Sequence, residues 1–345
     1  MKEEEGKEKT KKLKHIFILL PNFHLHQKDA MSKKVCFDDI VGLENAKKVL
    51  KDLALQVFIP GLIDGKWKAR SGVLLYGPSG TGKTMLTEAI ASEAKAELIC
   101  MQTSWLTGGS EQLKTMFKKV SEKPTVLVFE SLEGIGKDHL GKDTRKFLAE
   151  FLAQLDALFK YEAQVLVIGV SNEPWDIDNG VRRRFAPRLY ISPPSESAKA
   201  DLFAKLIEPI CKRTFGNPNP HYFNRSDCKR LAAKCECFSA SDIEDVIKEA
   251  EREPQRHLVK ATHFMSVKAT GFVMDEEGED MKWTPVHPSS KRAIAKSWLE
   301  IDSSQIIETP MRHEDVFRSI ERAVPTPLED LSKFIEYTAE FGQEG

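Results

Sequence analysis

Glycine, lysine and threonine meet at one place in this chain with a spacing that does phosphate chemistry. Gly77-Pro78-Ser79-Gly80-Thr81-Gly82-Lys83-Thr84 fits GxxxxGK[ST]. Glycines let backbone amides wrap an anion, because no Cβ stands in the way. Pro78, Ser79 and Thr81 fill the turn between them, and Met85 continues into the next element. Lys83 would reach the β and γ phosphates of a nucleotide, and the Thr84 hydroxyl would ligate magnesium. A helix starting at this point would add its partial positive charge. The other candidate chemistry is weak. Six cysteines are scattered, and Cys235-x-Cys237 is the nearest pair. They lack the CxxC spacing of a zinc site and read as reduced thiols, which favours a reducing compartment.

Elements must hold that loop in place. Val73 to Tyr76 is a short apolar strand just before it, and Met85 to Ala94 is predicted as a helix just after. Leu98–Met101, Thr125–Phe129 and Val165–Val170 are further short apolar runs. Leu113, Met116, Phe117 and Val120 mark a helical stripe, and a helix is predicted over about 145–159. Runs apolar on both faces that alternate with helices indicate an α/β fold, its parallel sheet covered on both sides. After Pro193-Pro194 the pattern turns helical. Ser239 and Asp242 form a capping box ahead of the stripe Ile243, Val246, Ile247 and Ala250. Gly271 to Pro288 reads as a loop or insertion. The last helix is predicted from the Thr326-Pro-Leu-Glu329 cap, with the stripe Leu331, Phe334, Ile335, Thr338 and Phe341.

The chain has 345 residues, enough for about two domains. Its 51 basic and 52 acidic residues sum to −1, so no basic excess points to nucleic acid. Residues 1–34 are expected to be a disordered tail. Their longest apolar run, Ile16–Leu20, is too short for a signal-peptide core or a membrane span.

Further segments sit in a telling order. Phe37-Asp-Asp-Ile-Val-Gly-Leu-Glu44 precedes the loop. Val165 to Asp178 reads VLVIGVSNEPWDID, and Val181 to Tyr190 reads VRRRFAPRLY. This set resembles the AAA ATPases, within them the group of katanin, spastin and the vacuolar protein sorting ATPase. Ala261-Thr-His-Phe264, Trp283-Thr-Pro285, Lys296-Ser-Trp298 and Phe341-Gly-Gln-Glu-Gly345 are similar to the vacuolar protein sorting-associated type, which dismantles ESCRT-III polymers.

The resemblance implies a large α/β subdomain at 35–194. A helical one would follow at 195–345, carrying a small β insertion at about 269–297 and a C-terminal helix at 326–341. It implies ATP and Mg2+ in the cleft between them, and a ring oligomer of this chain with itself or related subunits. ESCRT-III subunits would be the substrate, and a cofactor protein would bind at the insertion. The protein would be cytoplasmic, visiting endosomal membranes only peripherally. Asp39, Ile40, Val41 and Ala240 would border the adenine, Ala240 standing where the family usually has Gly. Asn172 matches the first sensor, whose amide can hold the attacking water. Arg183 and Arg184 match arginine fingers, which act on a neighbouring subunit's ATP; three arginines alone would read as a solvated basic turn. Glu130 keeps a carboxylate for magnesium's water shell.

The chain also departs from the family. Ser131 stands where the water-activating Glu belongs, and loss of such a base costs roughly 10²–10⁴ in rate. The Lys-aromatic pair ahead of Gly108-Gly-Ser-Glu111 is replaced by Leu106-Thr107, with Trp105 a possible substitute. The second pore loop, near Lys137 to Asp143, looks shortened. Residues 1–34 are too few for the family's N-terminal microtubule-interacting-and-trafficking domain. Two readings follow: a working ESCRT-III motor, or a hydrolysis-deficient subunit that lends its fingers to an intact relative. A P-loop small-molecule kinase explains neither the fingers nor the C-terminal match.

Overall fold

The computed structural model describes residues 35–59, 72–102, 110–135, 144–160, 164–215, 223–268, 281–307, 309–326 and 331–345. The expected tail, Trp105 and the grip segment beside it, the second pore loop and much of the insertion lie outside the described residues. Described residues up to Pro193, together with those from Leu331 onward, form one compact unit; those from Pro194 to Thr326 form another.

In the first unit, apolar runs become parallel strands: β1 (Gly72–Tyr76), β2 (Glu97–Gln102), β3 (Thr125–Glu130), β4 (Val165–Ser171) and β5 (Phe185–Tyr190). Their order across the sheet is β2-β3-β4-β1-β5. Alternate residues leave each strand toward opposite faces. Val73, Leu75, Val126, Val128, Leu166 and Ile168 face α1 (Glu44–Phe58) and α2 (Lys83–Glu93). Leu74, Tyr76, Leu127, Phe129, Val165 and Val167 face α3 (Ser110–Val120) and α4 (Thr144–Lys160). Both faces are therefore dry, which is why these runs read as continuously apolar. α1 left little trace in the sequence because its buried stripe is narrow and largely small: Ala46, Leu50 and Ala54. A single turn, α5 (Asn179–Arg182), precedes β5 and is capped by the Asp178 carboxylate.

The second unit packs α6 (Glu196–Phe215), α7 (Arg225–Lys234) and α8 (Ala240–Lys260) around Phe203, Ile207, Leu231, Ile243 and Val246. α8 starts at the expected capping box: Ser239 Oγ accepts from the Asp242 N–H, and Asp242 accepts from the Ser239 N–H. A three-stranded antiparallel sheet follows, β7-β6-β8, built from β6 (His263–Lys268), β7 (Met281–Pro285) and β8 (Ile294–Ala295). α9 (His313–Arg322) then returns along α8. Cys211, Cys228 and Cys235 lie in this core, and burial pushes the Cys228 and Cys235 thiols up to about 11. They behave there as small apolar residues.

The chain then rejoins the first unit with α10 (Leu331–Phe341) and β9 (Gln343–Glu344), which adds a sixth parallel strand beside β5. The helix is described from Leu331, not from the cap at Thr326. The Thr326 hydroxyl donates to Asp242 at 2.7 Å. Phe334 and Tyr337 of α10 pack against Tyr190 and Tyr76.

Candidate functional site

The phosphate loop follows β1 and runs directly into α2, whose first residue is Lys83. Gly77, Gly80 and Gly82 all take positive φ, at 150°, 75° and 98°. At Gly77 the need is also one of space: a Cβ would lie 2.3 Å from the Ile191 carbonyl oxygen. Thr81 Oγ1 donates to the Pro78 carbonyl and closes the turn. Lys83 is 6% exposed, and its ammonium donates to the carbonyls of Gly77 (2.7 Å) and Pro78 (2.6 Å). Ser79 is exposed at the crest of the loop. A buried cation beside a glycine-lined turn at a helix N-terminus fits a nucleotide's phosphates. Thr84 is exposed on the first turn of α2, and so is Met85 beside it.

Two more candidates share that edge of the sheet. Glu130 is the last residue of β3, and Asn172 directly follows β4, the strand between β3 and β1. The Gly77 N–H donates to the carbonyl of Ser171, beside Asn172. Neither the Glu130 carboxylate nor the Asn172 amide has a hydrogen-bond partner among the described residues. Lys83, Thr84, Glu130 and Asn172 thus gather at the carboxyl ends of adjacent parallel strands, where open α/β sheets bind ligands. Magnesium typically takes one or two protein oxygens and keeps several waters, which suits Thr84 and Glu130. Ser131 follows in a left-handed conformation, φ 55° and ψ 52°, and is exposed.

Asp39, Ile40 and Val41 lie in and just after a short turn, Phe37–Asp39, ahead of α1. Asp39 accepts from the Cys36 N–H, and the Ile40 carbonyl accepts from Lys47. Ala240 is the first residue of α8, in the second unit.

The arginines fall elsewhere. Arg183 and Arg184 sit before β5, at the amino end of the sheet. The Gly72 N–H at the start of β1 donates to the Arg184 carbonyl at 2.9 Å. Gly77 lies five residues along β1, about 17 Å away at roughly 3.3–3.4 Å per residue. An arginine side chain does not span that distance, so neither residue reaches its own chain's phosphate loop. The two also differ. Arg184 grips Asp156 with a two-pronged contact, Nε to Oδ1 at 2.8 Å and Nη2 to Oδ2 at 2.6 Å, and its Nη1 donates to the Gly180 carbonyl. The hydrogen bond from Arg184 holds the Asp156 carboxyl below its ordinary value, against burial. Arg183 is exposed, and its guanidinium has no hydrogen bond or ion pair among the described residues.

Sequence reasoning treated Arg183 and Arg184 alike and gave nothing to Arg182 or Arg188. Arg182 lies over the Phe341 ring, 4.1 Å from its centroid. Arg188 Nη1 donates to the Phe341 carbonyl (2.9 Å), and its Nη2 to the Arg182 carbonyl (3.0 Å). The neighbourhood of Phe341 in the fold is the only signal, and no local pattern carries it.

Comparison with known proteins adds six findings. Residues 73–193 match the family model described as ATPase family associated with various cellular activities (AAA). Residues 283–342 match that of the Vps4 C terminal oligomerisation domain. Vacuolar protein sorting-associated protein 4B of Pongo abelii is 31% identical over 323 residues, which are 90% of this chain and 71% of that protein. Vacuolar protein sorting-associated protein 4 of Dictyostelium discoideum is 31% identical over 322 residues, 90% and 70% of the two chains. Among solved structures, the FIGL-1 AAA domain superposes with a TM-score of 0.66 at 24% identity, covering 95% of this chain and 96% of that one. The katanin structure from a study of its self-assembly gives 0.61 at 22%, covering 89% and 91%. At these identities the two structures support the fold alone.

Proposed function

This chain belongs to the vacuolar protein sorting-associated protein 4 family of AAA ATPases, and from that premise we infer how its residues serve an ATP hydrolase of the ESCRT pathway. Lys83 and the backbone N–H groups of Ser79–Thr84 bind the phosphates. Thr84 and Glu130 would hold magnesium, which supplies charge neutralisation on the β and γ phosphates. Asn172 orients the attacking water beside the γ phosphate. Arg183 is the group offered to a neighbour's site. Arg184, tied to Asp156, anchors the turn that carries it. Asp39, Ile40, Val41 and Ala240 are assigned to the adenine. Subunits assemble, and turnover in the ring drives ESCRT-III polymers apart at endosomal membranes. A cofactor protein would dock on the sheet β7-β6-β8. The reading in which this chain only regulates an intact relative is not favoured, since the relationship runs along 90% of the chain.

The observation that carries this reading is the separation of Arg183 from its own phosphate loop by the length of a strand. A site whose phosphate cradle and whose finger stand at opposite ends of one sheet is completed by a second copy. The test is steady-state ATP hydrolysis by the full chain with magnesium, across protein concentration. The rate per subunit should rise cooperatively and level off. A rate per subunit independent of concentration, with no assembly in sedimentation, would refute completion in trans.

A further inference from the structure

The turn that bears Arg183 is held only in part by its own element. Asp178 caps it on the Gly180 and Val181 N–H groups, and Asn179 accepts from the Arg182 guanidinium. α5 is four residues long, too short to fix a side chain by itself. Further ties come from two other places. On one side Arg184 reaches back to Asp156 of α4. On the other stands the end of the chain. Arg182 stacks on Phe341, the last residue of α10. Arg188 of β5 joins the Phe341 carbonyl to the Arg182 carbonyl with its two terminal nitrogens. β9 keeps Phe341 there, pairing Gln343 with Leu189 and Glu344 with Tyr190, and the Gly345 N–H donates to the Tyr190 carbonyl. Gly342 allows the close approach: a Cβ there would lie 1.9 Å from the Tyr76 hydroxyl oxygen.

We propose that Arg188 and Phe341 are positioning residues for Arg183: the terminal segment clamps the carbonyl and the guanidinium of Arg182 and so sets the direction in which its exposed neighbour points. This rests on the reading of Arg183 as the group that completes a neighbour's site. The physical case has two parts. A guanidinium lying over an aromatic face is attracted by the ring's negative face, which favours one rotamer. A fork bridging two carbonyls fixes the backbone of Arg182 relative to β5 in a way a single-point donor does not. A finger acts by placement, and a displacement of about 1 Å at such a group can cost on the order of 10²-fold.

The experiment uses the full chain and four variants, Arg183→Ala, Arg188→Lys, Phe341→Leu and Phe341→Trp. For each, kcat and KM for ATP are measured at saturating protein, with nucleotide affinity, nucleotide-dependent assembly and melting temperature alongside. Arg188→Lys keeps the charge and loses the fork. Phe341→Leu keeps apolar bulk and loses the ring face. Both should lower kcat by about 10- to 100-fold with KM, nucleotide affinity and assembly unchanged. Phe341→Trp restores a ring face, so its kcat should return close to that of the parent. If Arg183→Ala abolishes turnover while Arg188→Lys and Phe341→Leu turn over like the parent, the clamp is wrong and the finger reading stands. If Arg183→Ala itself turns over like the parent, the underlying reading fails. Loss of assembly or nucleotide affinity in step with kcat, or no recovery in Phe341→Trp, would make Phe341 a packing residue and overturn the proposal.

Discussion

A single ammonium organises the phosphate loop. Lys83 lies buried and draws the carbonyls of Gly77 and Pro78 inward. Lys83→Ala should therefore abolish nucleotide binding and nucleotide-dependent assembly together, read by fluorescent-nucleotide titration and sedimentation; unchanged affinity would sink the loop assignment. The next residue of consequence is Ser131. It follows Glu130 in a left-handed conformation, and its hydroxyl is a poor base at neutral pH. Two residues on, Glu133 buries one carboxylate oxygen with no hydrogen-bond partner among the described residues. We expect Ser131→Glu to raise kcat by at least about 10-fold, because a positioned base contributes roughly 10²–10⁴. No gain would mean that another carboxylate already activates the water. Both residues were legible in the sequence, since the spacing around them is local.

At the level of elements, the second unit is fastened by one acid. Glu253 of α8 is 3% exposed and binds Arg256 at 2.6 Å on its own helix and Arg322 of α9 at 2.8 Å. The hydrogen bond from Arg256, with the charges of Arg322 and Arg256, holds the Glu253 carboxyl below its ordinary value against the effect of burial. A depressed folded value means that the native state favours the ionised form. The stabilisation is full above the unfolded value and is lost as pH falls through the lower folded one. Thermal melts should thus show a loss of stability on acidification below the ordinary carboxylate range, and Glu253→Gln should remove part of that slope. An unaltered slope would assign acid sensitivity to other groups. α8 itself was readable from its capping box and stripe. Its tie to α9 was not, because Glu253 and Arg322 stand 69 residues apart.

Across the whole molecule, the sheet separates the phosphate loop from the arginines before β5. Lys83, Glu130 and Asn172 occupy one end of the strands, and Arg183 the other; on the function proposed above, each copy would carry half of two different sites. Arg183→Ala subunits mixed with intact ones should depress turnover more steeply than their share of the mixture, since each ring interface pairs two subunits. Removing a transition-state arginine typically costs 10³–10⁵. A decline strictly proportional to the fraction of variant would show that sites work alone.

The α/β class, the phosphate loop and the Ser239 cap of α8 follow from the sequence by itself. Each depends on residues a few positions apart: a period of two or of 3.6, a glycine before a lysine, a hydroxyl three residues from a carboxylate. What Arg182, Arg183 and Arg184 do was decided only by the tertiary structure. They are three identical side chains in a row, and nothing local distinguishes them. Asp156 takes one, Phe341 takes another, and the middle one is left exposed. The same holds for the C-terminal strand. Two residues have no period to read, and Gln343 and Glu344 become β9 only because β5 presents an open edge to them. Contacts such as that from Arg188 to Phe341, 153 residues away, are made by chain topology, which places distant segments side by side without leaving a pattern in either.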